Sequence, residues 1–346
     1  MEKIFQKLSL LSASFVLIIL VGIFITLFNS SKLAIDEFGF DFIANPQWNE
    51  EVSIDDEVSP STNELVKDSE QANVSKDEDD GIIADEDDII VDEDDLILDE
   101  DDIFDEDAVL FDEDDVSDTK TMYGGLIPIV GTLLSTLIAL VFALPIAMGI
   151  AVFLAEIAPK KISHFVGIAI ELLAAIPSII FGMWGLYYFA PIIADIVGGY
   201  QVSLLTAGLV LGVMILPFMA AITRDSMNTT PGVLKESAYA LGATKFEVIK
   251  DIIFPYSRTG IIGSIILALG RALGETMAVA FLIGSIFALP QAINDPTISI
   301  PVAMANNFGE ASGLGESALF YLALILFAIS FGVISLAKFY FLKKKV

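Results

Sequence analysis

Six long apolar runs, separated by polar stretches, organise the 346 residues of this chain. They cover residues 8–28, 126–154, 165–190, 202–222, 259–288 and 317–342. A run of about 20 apolar residues is long enough to cross a bilayer as a helix, so the pattern predicts an all-α membrane protein with six transmembrane helices. The first run could be read as a signal peptide. It is longer than the roughly 7–15 apolar residues of such a region, and we expect an uncleaved anchor.

Basic residues cluster on one side of these predicted spans. Those near the span ends are Lys3, Lys7, Lys160, Lys161, Arg224, Lys235, Lys245, Lys250, Arg258 and Lys343 to Lys345. The loops on the opposite side, 191–201 and 289–316, contain no lysine or arginine. Because lysine and arginine mark the cytoplasmic side, we expect a multi-pass protein of the cytoplasmic (inner) membrane with both termini in the cytoplasm.

A polar segment, residues 224–258, lies between the fourth and fifth runs, on the predicted cytoplasmic side. Its helix-start and helix-stop signals predict two helices: Thr230 caps the first, Pro231 lies in its first turn, Gly242 ends it, Thr244 and Glu247 form a capping box for the second, and Pro255 closes the segment. A structured amphipathic loop between membrane spans indicates a docking element for a partner.

Charged residues also occur inside the predicted spans. Arg271 lies 12 residues into the fifth run, about 18 Å along a helix and hence near the middle of the bilayer, where arginine is costly. Glu275 follows four residues later, so an ion pair on one helix face is available. The two charges either neutralise each other or serve translocation. A guanidinium beside a carboxylate suits a protonated oxyanion such as hydrogen phosphate.

The third run carries the buried acid Glu171, followed by Pro177 and Ser178. Pro177 should kink that span and free backbone carbonyls, and Ser178 can bond to one of them. Glu171 either packs between helices or lines the path. The lone histidine, His164, is interpreted as an ordinary loop residue.

Acidic charge is concentrated in one segment rather than spread along the chain. Residues 36–118 hold 35 acidic residues and two lysines, a local net charge of −33, whereas the rest of the chain is slightly basic. Asp-Glu-Asp-Asp recurs there about every seven residues, and such like-charge blocks favour a solvated, disordered chain. The alternative is weak divalent-cation binding, with Asp85, Asp92 and Asp99 as candidate ligands. We therefore expect an extracytoplasmic loop at 31–122, acidic over about 51–121, between an N-terminal helix at 1–30 and a transmembrane domain at 123–342.

Two sets of motifs resemble a known family. Glu236-Ser-Ala, followed by Gly242 and by Ile-Ile-Phe-Pro ending at Pro255, resembles the "EAA" loop with which permeases of ABC importers contact their ATPase. The stretches 123–133, 169–179, 182–186 and 270–279, the last being Gly-Arg-Ala-Leu-Gly-Glu-Thr-Met-Ala-Val, resemble the PstC-type permeases of phosphate ABC importers. The residues that the resemblance assigns to ATPase coupling are Glu236, Ala238, Gly242, Glu247 and Pro255, and those it assigns to translocation are Arg271 and Glu275.

The resemblance implies a type I ABC importer permease fold and transport of phosphate by alternating access. It also implies a second homologous permease subunit, a dimer of ATP-binding subunits that hold ATP and magnesium, and an extracytoplasmic phosphate-binding protein, with no cofactor in this chain. A permease for another oxyanion, such as sulfate or molybdate, is the near alternative. A membrane-anchored cation-binding or signalling protein is the distant one. A single histidine and no cysteine exclude the usual zinc and thiol catalytic sites, and only three arginines argue against nucleic-acid binding.

Overall fold

Apolar helices make up most of the computed structural model, which describes residues 2–53 and 119–342. The α-helices are α1 (Glu2–Ser30), α2 (Lys32–Phe38), α3 (Asp41–Ala44), α4 (Leu126–Val152), α5 (Lys160–Ala174), α6 (Ser178–Trp184), α7 (Ala190–Val197), α8 (Leu204–Asn228), α9 (Gly232–Ala240), α10 (Lys245–Glu247), α11 (Phe254–Leu273), α12 (Met277–Ala280), α13 (Ile300–Asn307) and α14 (Leu314–Leu342). Two short strands, β1 (Trp48–Ser53) and β2 (Thr119–Tyr123), pair with each other. The acidic repeat, with Asp85, Asp92 and Asp99, lies outside the described residues.

Among the described residues, six helical stretches are long and apolar enough to cross a membrane, in agreement with the predicted number of spans. They are Phe5–Ser30, Leu126–Ile157, Ser178–Val197, Leu204–Asn228, Lys245–Leu273 and Leu314–Phe339. Three of these stretches contain a π-helical turn. The turns are Phe153–Ile157, Gly185–Phe189 and Val248–Ile253.

The core of the bundle lies where α4, α8 and α11 meet. A side chain at Gly208 would overlap Ile138, and one at Gly212 would lie 2.8 Å from the ring of Phe142. Small residues at these positions let the two helices approach closely, which is how helices pack where apolar lipid supplies no hydrophobic driving force. Near the end of α8, a Cβ at Gly260 of α11 would overlap the Ser226 hydroxyl.

The third apolar run is divided differently from the prediction of one span over 165–190. The helix α5 ends at Ala174, and a new helical stretch begins at Ser178 and runs to Val197. Pro177 does not kink a continuous helix but separates two, because the residue before proline is driven out of the helical region. The spanning stretch is therefore 178–197, and α5 is a separate amphipathic helix.

The fifth run also departs from the predicted span over 259–288. Its helix begins earlier, at Lys245, and ends at Leu273. The chain from Gly274 to Ser299 then forms a loop that contains α12 and folds back on the bundle, with Thr297 donating its backbone N–H to the carbonyl of Ile283 at 2.9 Å. The loop ends against α4, since the N–H of Ile300 donates to the Thr132 hydroxyl at 2.8 Å.

Candidate functional site

The polar segment between α8 and α11 folds as a helical hairpin. The helix α9 ends in a Schellman motif: the N–H of Gly242 donates to the carbonyl of Tyr239, and the N–H of Ala243 donates to that of Ala238, each at 3.0 Å. Gly242 has φ +90°, a conformation that favours glycine because it has no Cβ. The prediction that Gly242 ends the first helix is confirmed.

The predicted capping box opens the second helix. The Thr244 hydroxyl accepts from the backbone N–H of Glu247 at 3.4 Å, and the Glu247 carboxylate accepts from the backbone N–H of Thr244 at 2.7 Å. The predicted cap of the first helix is wrong. Pro231 is its N-cap residue, and within the described residues the buried Thr230 hydroxyl has no hydrogen-bond partner.

Pro255 does not close the segment, contrary to the prediction. It lies in the first turn of α11, directly after the π-helical turn Val248–Ile253, and the helix is continuous from Lys245 to Leu273. A π turn shifts the hydrogen-bond register by one residue, so a proline that lacks its N–H is accommodated without breaking the helix. The coupling hairpin, as we call residues 232–253, is therefore rigidly continuous with a membrane span.

Apolar packing fixes the coupling hairpin to the ends of the bundle helices. Val248 and Ile253 are fully buried in a cluster with Ala151 of α4 and Met227 of α8. A salt bridge between Lys235 of α9 and Glu156, in the π turn after α4, adds a second attachment. These contacts place the coupling hairpin at the end of the bundle where α4 ends, opposite to the end where β2 leads into α4.

The opposite face of the coupling hairpin is uncovered. The side chains of Val233 and Phe246 are 71% and 70% exposed, and that of Leu241 is 90% exposed. Between the two helices, a cavity of about 370 Å³ is lined by residues that include Ala238, Gly242 and Glu247. Large exposed apolar side chains beside a cavity are typical of a surface that another protein covers.

Arg271 and Glu275 lie in the turn that follows α11. Arg271 is exposed in the last turn of the helix, where the helix dipole favours a cation. Glu275 lies beyond the helix end, and its carboxylate accepts from the backbone N–H of Ala278 at 3.1 Å, which closes the start of α12. The expectation that the two share one helix face is wrong, because the helix stops at Leu273; the described residues contain no salt bridge between them.

Helix α6 packs against α12, which follows the turn at Glu275. A Cβ at Gly182 would lie 2.9 Å from the ring of Phe281 and 3.0 Å from Cα of Ala278. Ser178 begins this helix. The predicted bond from the Ser178 hydroxyl to a freed carbonyl does not occur in the described part of the chain.

Glu171 is not the buried acid that the sequence predicted. Its side chain is 60% exposed on α5, and it accepts a hydrogen bond from Arg224 of α8 at 3.1 Å. This pair was not predicted, because its partners are 53 residues apart. Arg224 was expected at the cytoplasmic end of one span and Glu171 inside another. Arg224 is also the close neighbour of Gly167, where a Cβ would lie 2.2 Å from its Nη1 atom.

A cavity of about 470 Å³ runs beneath α5, at the same end of the bundle as the coupling hairpin. Its lining includes Lys160, His164, Glu171 and Arg224. His164 is therefore a helical residue that lines a cavity, not the loop residue predicted. Within residues 2–53 and 119–342 no group of side chains has the composition of a metal site.

These features define a multi-pass membrane protein with a structured helical hairpin between two of its spans. The family model described as "binding-protein-dependent transport system inner membrane component" matches residues 147–346, more than half of the chain, and the chain belongs to this family. Within the family it groups with the phosphate transport system permease proteins PstC. It is 47% identical to that of Pasteurella multocida over 244 residues, which are 65% of this chain and 76% of that protein. It is 48% identical to that of Haemophilus influenzae over 236 residues, which are 62% and 75% of the two chains.

An inward-facing structure of the MetNI methionine ABC transporter matches 61% of this chain and 94% of the solved chain, with a TM-score of 0.48 and 18% identity. Family membership and the six apolar helices of the described residues confirm the predicted all-α permease and its place as a multi-pass protein of the inner membrane.

Proposed function

We propose that this chain is a permease subunit of an ATP-driven importer that carries inorganic phosphate across the cytoplasmic membrane by alternating access. The observation that carries the proposal is the similarity, over three quarters of their length, to relatives named as phosphate transport permeases. Those names favour phosphate over sulfate or molybdate. A membrane-anchored cation-binding protein has less support, because six apolar spans and an ATPase-type hairpin exceed what an anchor needs.

Arg271 is the residue to which we assign the transported anion. Its guanidinium is exposed at a helix end and makes no salt bridge among the described residues, so its donors are available to a ligand. A guanidinium offers a fork of N–H donors that matches two oxygens of a tetrahedral anion. Glu275 plays a different part, because by accepting from Ala278 it fixes the turn that presents Arg271. Ser178, at the start of α6, is a neutral hydroxyl that we assign to the same path.

The coupling hairpin is where we place the ATPase. Its exposed apolar face and central cavity suit a protein partner, and Glu236, Ala238, Gly242 and Glu247 lie on it or around it, with Pro255 at its junction to α11. ATP and magnesium are then bound by a dimer of separate subunits and not by this chain. A second homologous permease and an extracytoplasmic phosphate-binding protein complete the complex. The coupling hairpin lies in the cytoplasm, and both termini lie on the same side.

The test is uptake of radiolabelled phosphate by cells that lack this chain, complemented with the wild-type protein or with variants, in the presence of excess sulfate. We expect the wild type to restore uptake that sulfate does not inhibit. Restoration that sulfate abolishes would reassign the substrate to another oxyanion. Failure of the wild type to restore any uptake, although the protein reaches the membrane with its partners, would refute the transport proposal.

A matched pair of variants separates the role of Arg271 from a general loss of charge. Arg271→Ala should abolish uptake while the complex still assembles and hydrolyses ATP. Lys338→Ala removes an exposed cation from α14 and should leave uptake unchanged. Full uptake in the Arg271 variant would exclude this residue from the anion path without touching the assignment of the substrate.

A further inference from the structure

Helix α5 lies against α8 but buries little of its surface in the bundle. Gly167 is its one buried residue, although the helix is 15 residues long and described throughout. At its start, the Ser163 hydroxyl donates to the carbonyl of Leu154 at 2.7 Å. At its end, the break at 175–177 leads into α6. A helix with so little buried surface is held in place by specific contacts, and its position is easily shifted by changing one of them.

The contact that joins α5 to α8 through charge is the ion pair between Glu171 and Arg224. The Arg224 side chain is 13% exposed and lies directly across Gly167, where there is no side chain to displace it. Its Nη2 atom donates to Glu171 at 3.1 Å and to the neighbouring Asp225 at 2.8 Å. Only the first of these bonds connects two helices. Arg224 thus reaches from α8 over the backbone of α5 to a carboxylate one helical turn further on.

The end of α8 that carries Arg224 is bonded to the helix that continues from the coupling hairpin. The Thr223 and Ser264 hydroxyls are bonded at 2.7 Å, and the Ser226 hydroxyl donates to the carbonyl of Ser257 at 3.1 Å. Met227 is fully buried in the cluster that also holds Val248 of the hairpin. On both sides of Arg224, therefore, α8 is fastened to the helix that continues directly from the coupling hairpin.

The far end of α5 leads to the turn that presents Arg271. After the break at Pro177, α6 packs on α12 through Gly182, whose missing side chain allows contact with Ala278 and Phe281. Ala278 is the residue whose N–H bonds to Glu275. A continuous set of contacts therefore runs from the coupling hairpin through Arg224 and Glu171 to α5, then through α6 to the turn after α11.

We propose that the Arg224–Glu171 ion pair transmits movement of the coupling hairpin to α5 and α6, and so makes ATP hydrolysis in the partner open and close the path beside Arg271. The inference rests on the proposed function and adds two positioning residues, neither of which touches the anion. Without the pair, α5 no longer follows α8. Hydrolysis continues, and fewer phosphate ions cross for each ATP consumed.

The experiment uses the complete importer in proteoliposomes, with phosphate uptake and ATP hydrolysis measured in the same preparation. Glu171→Gln keeps the shape of the side chain and removes its charge. A pair of this exposure changes an equilibrium by up to about fivefold, and we expect the number of phosphate ions moved per ATP to fall by a factor of that order. Arg224→Gln should do the same, and the double variant should be no worse than either single one, because both remove the same interaction.

Two further variants distinguish transmission from folding. Asp225→Asn removes the carboxylate that shares Arg224 without involving α5, so the ratio of phosphate to ATP should stay at the wild-type value. Gly167→Ala places a methyl group where the guanidinium lies, which displaces a flexible side-chain end rather than backbone. It should lower the ratio as Glu171→Gln does, with little change in thermal stability.

A distance measurement gives a readout that a merely structural role would not affect. The chain contains no cysteine, so spin labels at Ile162→Cys on α5 and Leu267→Cys on α11, both exposed positions, report one distance. This distance should change on ATP binding in the wild type and stay constant with Glu171→Gln. An unchanged phosphate-to-ATP ratio in Glu171→Gln, or an equal fall in Asp225→Asn, would overturn the inference. A wild-type complex that moves no phosphate would instead refute the proposed function.

Discussion

Gly242 adopts φ +90° at the tip of the coupling hairpin, and its replacement by alanine tests how much ATPase docking depends on that turn. A Cβ at this position would meet no atom within 4 Å. The cost of Gly242→Ala therefore comes from the backbone conformation alone and not from a collision. The two hydrogen bonds of the Schellman motif, from Gly242 and Ala243, depend on that conformation.

The expected magnitude follows from two opposing effects. A residue with a side chain costs about 1–2 kcal/mol in the left-handed region. Alanine also lowers the conformational entropy of the unfolded chain, which stabilises the folded state by about 0.4–1 kcal/mol. The net loss is about 1 kcal/mol, and because a tenfold change corresponds to about 1.4 kcal/mol, the ATPase should bind about fivefold more weakly. The thermal stability of the permease should fall little, because the five fully or nearly fully buried residues of the cluster around Val248 are unchanged.

The assay is the affinity of the ATPase subunits for the permease complex in nanodiscs, measured by biolayer interferometry. Gly263→Ala is the matched control. Gly263 lies within α11, a Cβ there also meets no atom within 4 Å, and its φ is not positive. In a helix interior this exchange stabilises by about 0.5–1 kcal/mol, so the control should bind at least as tightly as the wild type. Equal affinities for Gly242→Ala and Gly263→Ala would refute the reasoning.

Three further predictions concern other parts of the chain. Arg271→Lys should fail to restore uptake although it keeps the charge, because an ammonium lacks the planar fork of donors; uptake kinetics test this. Lys235→Ala should lower the free energy of unfolding by about 2 kcal/mol, since it leaves the shielded Glu156 without its partner. Thermal melts test this, and the double variant Lys235→Ala, Glu156→Gln should regain part of the lost stability. Trp48→Ala removes a ring stacked on Phe287 at 4.9 Å and should cost about 1–2 kcal/mol, and an unchanged melting temperature would contradict this contact.

The parts of the site that the sequence predicted are those governed by local rules. The glycine that ends α9 and the Thr244–Glu247 capping box involve backbone groups only three to five residues away. Their effect on the helix ends therefore does not depend on the rest of the fold. The same holds for the number of spans, because a run of apolar residues signals a membrane helix by its own length.

The two prolines show where local rules fail. Pro177 was expected to kink a helix and instead separates two, whereas Pro255 was expected to end a helix and instead lies inside one. The difference at Pro255 comes from the π turn before it, which is held by the burial of Val248 and Ile253 against α4 and α8. The choice between a kink, a break and a π turn therefore depends on tertiary packing, which the residues adjacent to a proline do not specify.

The ionic contacts depended even more on tertiary structure. Glu171 and Arg224 meet because α5 folds back over α8, and the only sequence signal is Gly167, whose role is visible once a guanidinium lies across it. The helix end before Glu275 has a local sequence signal, although the apolar pattern continues past it. Gly274 directly follows the last helical residue, as glycine often does at a helix end.

The position of Arg271 constrains what can surround it in the assembled protein. An arginine that faces hydrocarbon costs about 2.5–3.5 kcal/mol at the centre of a membrane helix on insertion scales. Arg271 lies in the last turn of its helix, and within the described residues no carboxylate forms a salt bridge with it. Neighbouring exposed residues of α11, such as Leu267, are apolar and suit lipid or a partner helix. Arg271 must then face either water or a polar partner group. A water-filled path between this chain and a second permease satisfies both requirements, since it hydrates the guanidinium when empty and supplies an anion when loaded. The exposure of Arg271 in the single chain therefore fits a residue of the translocation path at a subunit boundary. A position facing lipid is the least favourable one for its charge.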